Sequence, residues 1–240
     1  MAFKSVAMVS AGDSGSGADA AWHLSAAGHE VAILSSSKAG EALAHELGGL
    51  GVAECRRSAA SVQRLVDGAM DRWGRVDVLV NSVEYRPAGS SANAGNRHLH
   101  AIMDAYLMNI VRPTRIVAPI MAEAGGGTIV NIVNVVNGDG VDPLELAPAL
   151  EIFRGAMMNF CTLVENRFGA SGVSMAVVIP DRLAGQSEQD ERGGGMPIWR
   201  FRKPEEIPGL ITCLVADTPG LFDDNQRFDG PLTSQYKAAA

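Results

Sequence analysis

Short apolar runs alternate with amphipathic stretches along most of this chain, and glycines mark many of the boundaries. The first unit spans residues 6–34. It contains an apolar run, a glycine-rich turn, an amphipathic stretch that ends at Gly28, and a second apolar run. The residues expected on the buried face of its helix are Ala18, Ala21, Trp22 and Leu24. A strand, a glycine turn, a helix and a second strand within about thirty residues predict the βαβ unit of a doubly wound sheet.

The same alternation continues downstream and predicts further strands and helices. The predicted strands cover residues 52–55, 76–81, 128–136, 173–179 and 226–229. The predicted helices cover residues 39–47, 61–73, 98–123, 145–168 and 204–216. The third of these helices contains Pro113 and Pro119, which are expected to bend it. Regular alternation of strand and helix predicts an α/β fold with a mostly parallel, doubly wound sheet and helices on both faces.

Several segments lack hydrophobic periodicity, but none of them marks a boundary between domains. We expect one domain covering residues 1–240, because no composition shift or repeat marks an internal boundary. Residues 84–97 are polar and glycine-rich, which predicts a loop. Residues 181–203 begin with an acidic, glycine-rich stretch and predict a flexible flap. The alanine-rich tail at residues 236–240 is expected to fray.

Composition limits the classes of partner and of site. The chain has 240 residues, 47% hydrophobic residues and a formal net charge of -7, which fits a globular protein and argues against nucleic acid or an anionic membrane surface as partner. Its three cysteines, Cys55, Cys161 and Cys213, lie in apolar segments without ligand spacing, so we expect buried, reduced thiols and no metal site. The sequence shows neither a membrane-spanning run nor a secretory signal pattern, and we expect a cytoplasmic protein.

Six segments occur in an order and spacing that resemble the short-chain dehydrogenase/reductase family over nearly the whole chain. They are VSAGDSGSG at 9–17, GRVDVLVN at 74–81, MNIVRP at 108–113, GGGTIVNIV at 125–133, GVSMAVVIP at 172–180 and RFRKPEEI at 200–207. The resemblance implies a Rossmann-like fold, an NAD(P)-dependent oxidoreductase ancestry and assembly into oligomers through the long fourth and fifth helices.

The dinucleotide turn of the family, TGxxxGxG, corresponds to SAGDSGSG at residues 10–17. Its last two glycines are retained, and they allow a tight turn into a helix N-terminus that attracts phosphate. Ala11 replaces the first glycine, and Asp13 adds a carboxylate where phosphates would lie. The candidate cofactor-binding residues of the turn are Gly12, Gly15 and Gly17. The alternative is that these glycines only close the helix onto the sheet, and both interpretations stay open.

The remaining nucleotide positions depart further from the family pattern. Ser36 and Lys38 follow the second strand, where small polar or basic residues favour NADP over NAD; alternatively they form a polar loop that caps the next helix. Asn81 matches the first residue of the family's NNAG floor, but Val83 and Glu84 replace its last two residues and would crowd it. We therefore expect no bound cofactor, and NADP if a dinucleotide binds at all.

The positions that carry the family's chemistry are mostly replaced. In the family, a tyrosine four residues before a lysine on the fifth helix does acid–base work, a serine polarises the carbonyl, and an asparagine supports a proton-relay water. Leu150 stands at the tyrosine, Arg154 at the lysine and Asn134 at the serine, whereas Asn109 matches. Tyr85 is a candidate substitute proton donor, because its loop leaves the carboxyl end of the fourth strand.

Two hypotheses of different classes follow. In the first, the chain is a non-catalytic subunit that pairs with an active paralogue of the family, or with itself, through helices 98–123 and 145–168. In the second, the former nicotinamide pocket binds a small organic substrate and catalyses a cyclisation, elimination or hydration without a cofactor, with a polar wall of Arg154, Asn134, Asn109 and Tyr85. A third alternative is an NADP-dependent reductase with a substitute proton donor. Standard hydride transfer by this chain alone is not expected.

Overall fold

The structure is a computed structural model, and it describes residues 4–13, 15–55, 58–85, 100, 103–135, 143–180, 198–201, 209 and 215. Its strands are β1 (Val6–Ser10), β2 (Glu30–Ser35), β3 (Leu50–Ala53), β4 (Val78–Tyr85), β5 (Gly127–Val135), β6 (Val173–Pro180) and β7 (Ile198–Phe201). Within the described residues they form one parallel sheet of seven strands in the order β3-β2-β1-β4-β5-β6-β7.

Helices connect the successive strands from β1 to β6, as parallel pairing requires. They are α1 (Gly15–Ala26), α2 (Lys38–Glu46), α3 (Ala59–Trp73), α4 (Met108–Glu123) and α5 (Pro143–Phe168). A π-helical turn at Met103–Leu107 runs directly into α4, and a 3-10 turn at Gly169–Ser171 follows α5.

Both faces of the central strands are buried. Alternate side chains of β1 point to opposite faces, so that Ala7 and Val9 pack with α1 through Leu24, whereas Met8 packs with α3 and α4. A strand that is covered on both sides needs a continuous apolar run, and β1 has one. The predicted α/β, doubly wound, Rossmann-like parallel fold is thereby confirmed.

The sheet has a switch point next to β1. β1 pairs with β2 on one side and with β4 on the other, with Ser10 opposite Leu34 and Asn81. The strands β2 and β3 extend the sheet on one side of β1, and the strands from β4 onwards extend it on the other side. In open parallel sheets, a crevice for ligands lies at the carboxyl ends of the strands at this point. The turns after β1, β2 and β4 therefore form the part of the molecule where a site is expected.

Helix α1 corrects the predicted buried face. Gly17, Ala20, Ala21 and Leu24 are its buried residues, whereas Trp22 is 44% exposed. Each helical residue turns by about 100°, so Trp22 lies about 100° around the helix from Ala21 and nearly opposite Leu24. The expectation that Trp22 faces the core is therefore wrong.

Strand β4 is longer than predicted. Glu84 and Tyr85 were assigned to a loop, but the structure pairs them with Asn134 and Val135 of β5 at the end of a continuous parallel ladder. The prediction that Tyr85 lies in a loop is therefore wrong, since it is the last residue of the strand. Its backbone nevertheless remains at the carboxyl edge of the sheet, where it was expected.

The flap predicted over residues 181–203 is also too long. Ile198–Phe201 form β7, which pairs in parallel with β6 from Val177 opposite Ile198 onwards. The flap prediction is wrong for these four residues, because their backbone pairs with β6 as a strand of the sheet. Of the predicted helix 204–216, Gly209 and Val215 are described and helical. Residues 181–197, the predicted strand 226–229 and the tail 236–240 lie outside the described residues.

Candidate functional site

The turn between β1 and α1 keeps its tight shape although Ala11 replaces a family glycine. Ala11 has a φ of 64°, and its N–H donates to the carbonyl of Leu34 at 2.7 Å. This left-handed conformation costs a residue with a Cβ roughly 1–2 kcal/mol, so the surrounding contacts must hold it. The turn is therefore anchored to the end of β2 rather than displaced by the alanine methyl.

Contacts and backbone conformation within the chain itself require glycine at these positions of the turn. A Cβ on Gly17 would lie 2.1 Å from the carbonyl oxygen of Ala11, and a Cβ on Gly12 would lie 2.6 Å from Cγ2 of Ile33. Gly15, the first residue of α1, has a φ of 54°. Close approach of helix and turn thus explains the glycine pattern without a ligand, and a role of these three glycines in cofactor binding stays a prediction.

Polar side chains join the turn after β1 to the turn after β2. The hydroxyl of Ser37 donates to Oδ2 of Asp13 at 3.1 Å. The buried Ser35 hydroxyl in turn donates to the Ser37 carbonyl at 2.9 Å and accepts from the Ser37 N–H at 3.0 Å. Ser36 and Lys38, the candidates for contacting a ribose phosphate, are exposed on either side of this link.

Asn81 belongs to a buried polar chain that crosses the sheet. Its side-chain oxygen accepts from the Ser10 hydroxyl at 3.3 Å, and its amide donates to Oδ1 of Asn131 at 2.9 Å and to Oγ1 of Thr114 at 3.4 Å. Asn131 continues the chain to the carbonyl of Ala176 at 3.2 Å. All four side chains are buried, so their mutual bonds satisfy polar groups that would otherwise be costly inside the sheet.

The candidate chemical residues are distributed over β4, β5, α4 and α5. Tyr85 and Asn134 lie on neighbouring strands with their backbones one residue apart in register, at the carboxyl edge. Asn109 is buried near the start of α4, just after the π turn. Leu150 and Arg154 lie on α5, about one helical turn apart. The backbone thus brings Tyr85 and Asn134 to one edge, and the catalytic roles of these residues stay predictions.

A sequence profile of the short chain dehydrogenase family matches residues 5–190. This chain belongs to that family. The matched residues include every strand from β1 to β6 and every helix from α1 to α5. The family match therefore covers all but the last of the strands described in the fold. Members of the family usually use NAD or NADP.

Named relatives are similar to this short-chain dehydrogenase over most of its length. A 3-oxoacyl-(acyl-carrier-protein) reductase from Synechocystis sp. is 25% identical over 235 residues, which cover 93% of this chain and 94% of the relative. The (2S)-((R)-hydroxy(phenyl)methyl)succinyl-CoA dehydrogenase subunit BbsC from Thauera aromatica is 26% identical over 224 residues, covering 89% and 88%. A crystal structure assigned to the short-chain dehydrogenases/reductases, from Burkholderia xenovorans, has a TM-score of 0.59 and 25% identity, covering 74% of this chain and 75% of that chain.

Beside the carboxyl edge, this short-chain dehydrogenase has an apolar cluster between the sheet, α4 and α5. The rings of Tyr106 and Phe153 lie 5.1 Å apart at 44°, and Val83, Val133 and Met157 pack around them. Val83 was expected to narrow the nucleotide floor, but the structure packs it into this cluster. The cluster therefore fixes the start of α4 and the middle of α5 against the sheet.

Of the two described cysteines, Cys161 is buried and Cys55 is exposed, so the expectation of a buried thiol is wrong for Cys55. Burial raises the pKa of the Cys161 thiol to about 12, with a smaller contribution from the Glu165 carboxylate, so this thiol stays protonated and inert. No group of three His, Cys, Asp or Glu side chains in the described part of the chain is placed to hold a metal ion. None of the described helices is long and apolar enough to span a membrane.

Sequence reasoning missed the link between Asp13 and Ser37. It treated Asp13 as a charge near the phosphates and the serines after β2 as a separate polar loop. The signal was present, because both residues follow adjacent parallel strands by three or two positions and must leave the sheet at the same edge. What the sequence lacks is the direction of each side chain, which depends on the left-handed turn at Ala11.

Proposed function

We propose that this chain is a non-catalytic short-chain dehydrogenase subunit that lacks ordinary nucleotide binding and pairs with an active member of the family. The observation that carries the proposal is the residue pair on α5. Leu150 and Arg154 lie one turn apart on α5, and the family resemblance assigns them to the tyrosine and lysine positions. Leucine has no proton to transfer, and arginine stays protonated at neutral pH, so neither can replace the acid–base pair of hydride transfer.

The outer side of α5 supports a role in assembly. Ile152 and Leu163 are 51% and 66% exposed, and their separation of eleven residues, close to three turns, puts them on one side of the helix. The opposite side of α5 is already used, because Phe153 and Met157 pack against the sheet and α4. Two large apolar side chains on one face of a long helix are compatible with a protein interface, although single exposed apolar residues are also common on protein surfaces.

One relative makes a subunit role plausible in chemical terms. BbsC of Thauera aromatica is named as a subunit of a dehydrogenase, and its similarity covers 89% of this chain. The relative named as a 3-oxoacyl-(acyl-carrier-protein) reductase suggests thioester-linked 3-oxoacyl groups as the substrate class of an active partner.

The first experiment tests the isolated chain for catalysis. The purified protein is incubated with a 3-oxoacyl thioester and NADPH or NADH, and loss of reduced nucleotide is followed by absorbance, with an active family member as positive control. We expect no turnover above the enzyme-free rate, because the proton donor is missing. Turnover by the isolated chain would overturn the proposal and favour a reductase with a substitute donor, for which Tyr85 is the candidate to replace with Phe.

The second experiment tests pairing. The tagged chain is co-expressed in turn with short-chain dehydrogenases from the same source that retain the tyrosine–lysine pair. We expect a stable complex of fixed stoichiometry with one of them, in which the partner's activity or stability rises. If the chain pairs with none and instead converts a small organic compound without nucleotide, by cyclisation, elimination or hydration, the redirected-enzyme hypothesis replaces this one.

A further inference from the structure

A side-chain hydrogen bond joins the turns after β1 and β2 and brings a carboxylate to the end of β2. The Ser37 hydroxyl donates to Asp13 Oδ2 at 3.1 Å, and its oxygen lies 3.3 Å from the Ser35 hydroxyl. The Ser37 N–H is also held by Ser35 at 3.0 Å. Asp13 is partly buried, and its turn is fixed by the hydrogen bond from Ala11 to Leu34. The carboxylate is therefore positioned by backbone as well as by Ser37.

This position matters because of the way doubly wound sheets hold dinucleotides. The pyrophosphate lies at the N-terminus of the first helix, and the adenosine ribose meets the end of the second strand. An acid at that point accepts a hydrogen bond from the ribose 2′-hydroxyl, whereas a 2′-phosphate requires a basic neighbour. Here the acid comes from the first turn instead of the second strand, so a search of the residues after β2 does not find it.

The structure does not fit a 2′-phosphorylated nucleotide at this place. The hydroxyl of Ser37 donates to Asp13, so it is not available to donate to a phosphate. A phosphate dianion beside the Asp13 carboxylate would be repelled, and partial burial weakens the screening of that repulsion by water. Ser36 and Lys38, the residues that favour NADP in the sequence, are both exposed. A solvent-exposed Lys38 would offset the repulsion between the 2′-phosphate and Asp13 less than a fixed ion pair would.

We propose that Asp13 is a specificity-determining residue, whose carboxylate at the end of β2 excludes nucleotides with a 2′-phosphate and tolerates those with free ribose hydroxyls. This inference rests on the proposed loss of ordinary nucleotide binding. It deepens that proposal because it names one side chain that would prevent the binding of NADP(H). It also reverses the preference for NADP that the sequence alone suggested.

The test is calorimetric titration of the purified full chain with NADPH and with NADH. Asp13→Asn removes the charge at nearly constant size, and Ser37→Ala removes the hydrogen bond but keeps the charge. Asp19→Asn, on the exposed side of α1, is the matched control for the change in net charge. We expect Asp13→Asn to bind NADPH at least about tenfold more tightly than the unmodified chain, without an equal gain for NADH. Ser37→Ala and Asp19→Asn should behave like the unmodified chain.

The outcomes separate this inference from the proposed function. If Asp13→Asn binds neither nucleotide, or gains equally for both, Asp13 is not the selecting group, although the loss of nucleotide binding still stands. If the unmodified chain binds NADH but not NADPH, the loss of nucleotide binding is contradicted and the role of Asp13 is supported. If the unmodified chain binds NADPH tightly, both are overturned. Thermal unfolding of each variant verifies that it is folded.

Discussion

At Gly17 the first helix comes as close to the preceding turn as the backbone permits. A Cβ there would meet the Ala11 carbonyl oxygen at 2.1 Å and Cβ of Ser82 at 3.2 Å, and backbone atoms cannot move aside as the end of a flexible side chain can. A glycine-rich turn is commonly interpreted as a phosphate cradle. At this residue the same pattern has a sufficient cause in helix–sheet packing, whether or not a phosphate binds.

We predict that Gly17→Ala lowers the free energy of unfolding by about 3 kcal/mol, the upper range for overpacking in a rigid site. Gly155→Ala is the matched control, because Gly155 is also helical but its added Cβ meets nothing within 4 Å. Replacing a helical glycine by alanine in open space should raise the free energy of unfolding by about 0.5–1 kcal/mol. Urea unfolding measures both values, and a Gly17→Ala variant as stable as the original chain would contradict the packing explanation.

Single residues show where inference from sequence stops. Apolar runs and glycines predict the βαβ unit, which the structure confirms, whereas the assignment of Leu150 and Arg154 to the tyrosine and lysine positions rests on the family resemblance and stays a prediction. The contact between Asp13 and Ser37 could not be predicted, because it depends on side-chain directions that the left-handed backbone at Ala11 sets. The direction of a side chain at a turn depends on the tertiary structure, whereas the type of the residue is known from the sequence.

At the scale of elements, periodicity located the main helices and strands but missed some of their limits and, in α1, part of the buried face. Helix α1 was predicted correctly as a helix, yet its buried side is set by the close contact at Gly17, which turns Trp22 to the surface. Strand β4 continues to Tyr85 because β5 offers a partner residue at each step, a fact invisible in the polar sequence of residues 84–97. The π turn before α4 was likewise absent from the periodic pattern, which suggested only bends at prolines within that helix.

Helix α5 provides the prediction at this scale. Leu163→Glu replaces the more exposed of the two apolar residues on its outer side by a charge, and burying an unpaired carboxylate in an interface is costly. We expect this variant to lose assembly, either with itself or with an active short-chain dehydrogenase, while its stability as an isolated chain changes by less than about 0.5 kcal/mol. Light scattering coupled to size-exclusion chromatography measures the mass of the assembly.

The matched control for assembly is Trp22→Glu, which changes an exposed apolar residue on α1, across the sheet from α5. It should assemble as the original chain does. Equal loss of assembly in both variants would indicate a general effect of added charge, and an unaffected Leu163→Glu variant would exclude the α5 face as the interface.

At the scale of the whole molecule, the two edges of the sheet differ in kind. The carboxyl ends of the strands lie beside the turns and the candidate site residues. At the amino ends of β1 and β4, an ion pair and a hydrogen bond of Asp77 connect the two strands. Asp77 accepts from the N–H of Val6 at 2.8 Å and pairs with Arg75 at 2.6 Å, joining the starts of β1 and β4. His29 lies beside this pair at the start of β2, and its ring Nδ1 is buried without a hydrogen-bond partner among the described residues.

This arrangement predicts a dependence of global stability on pH. Burial lowers the pKa of His29 below its ordinary value of 6.5, and the nearby Asp77 carboxylate opposes the shift only in part. Between that lowered pKa and 6.5 the unfolded chain binds more protons at this residue than the folded chain, so the free energy of unfolding falls as the pH falls through this window. His29→Gln removes the titrating ring and should flatten the decrease between about pH 7.5 and about pH 5.5. Urea unfolding at a series of pH values measures the slope. An unchanged slope in His29→Gln would assign the dependence to other groups, and an increased slope would mean that the protonated ring is stabilised in the fold by Asp77 more than it is destabilised by burial.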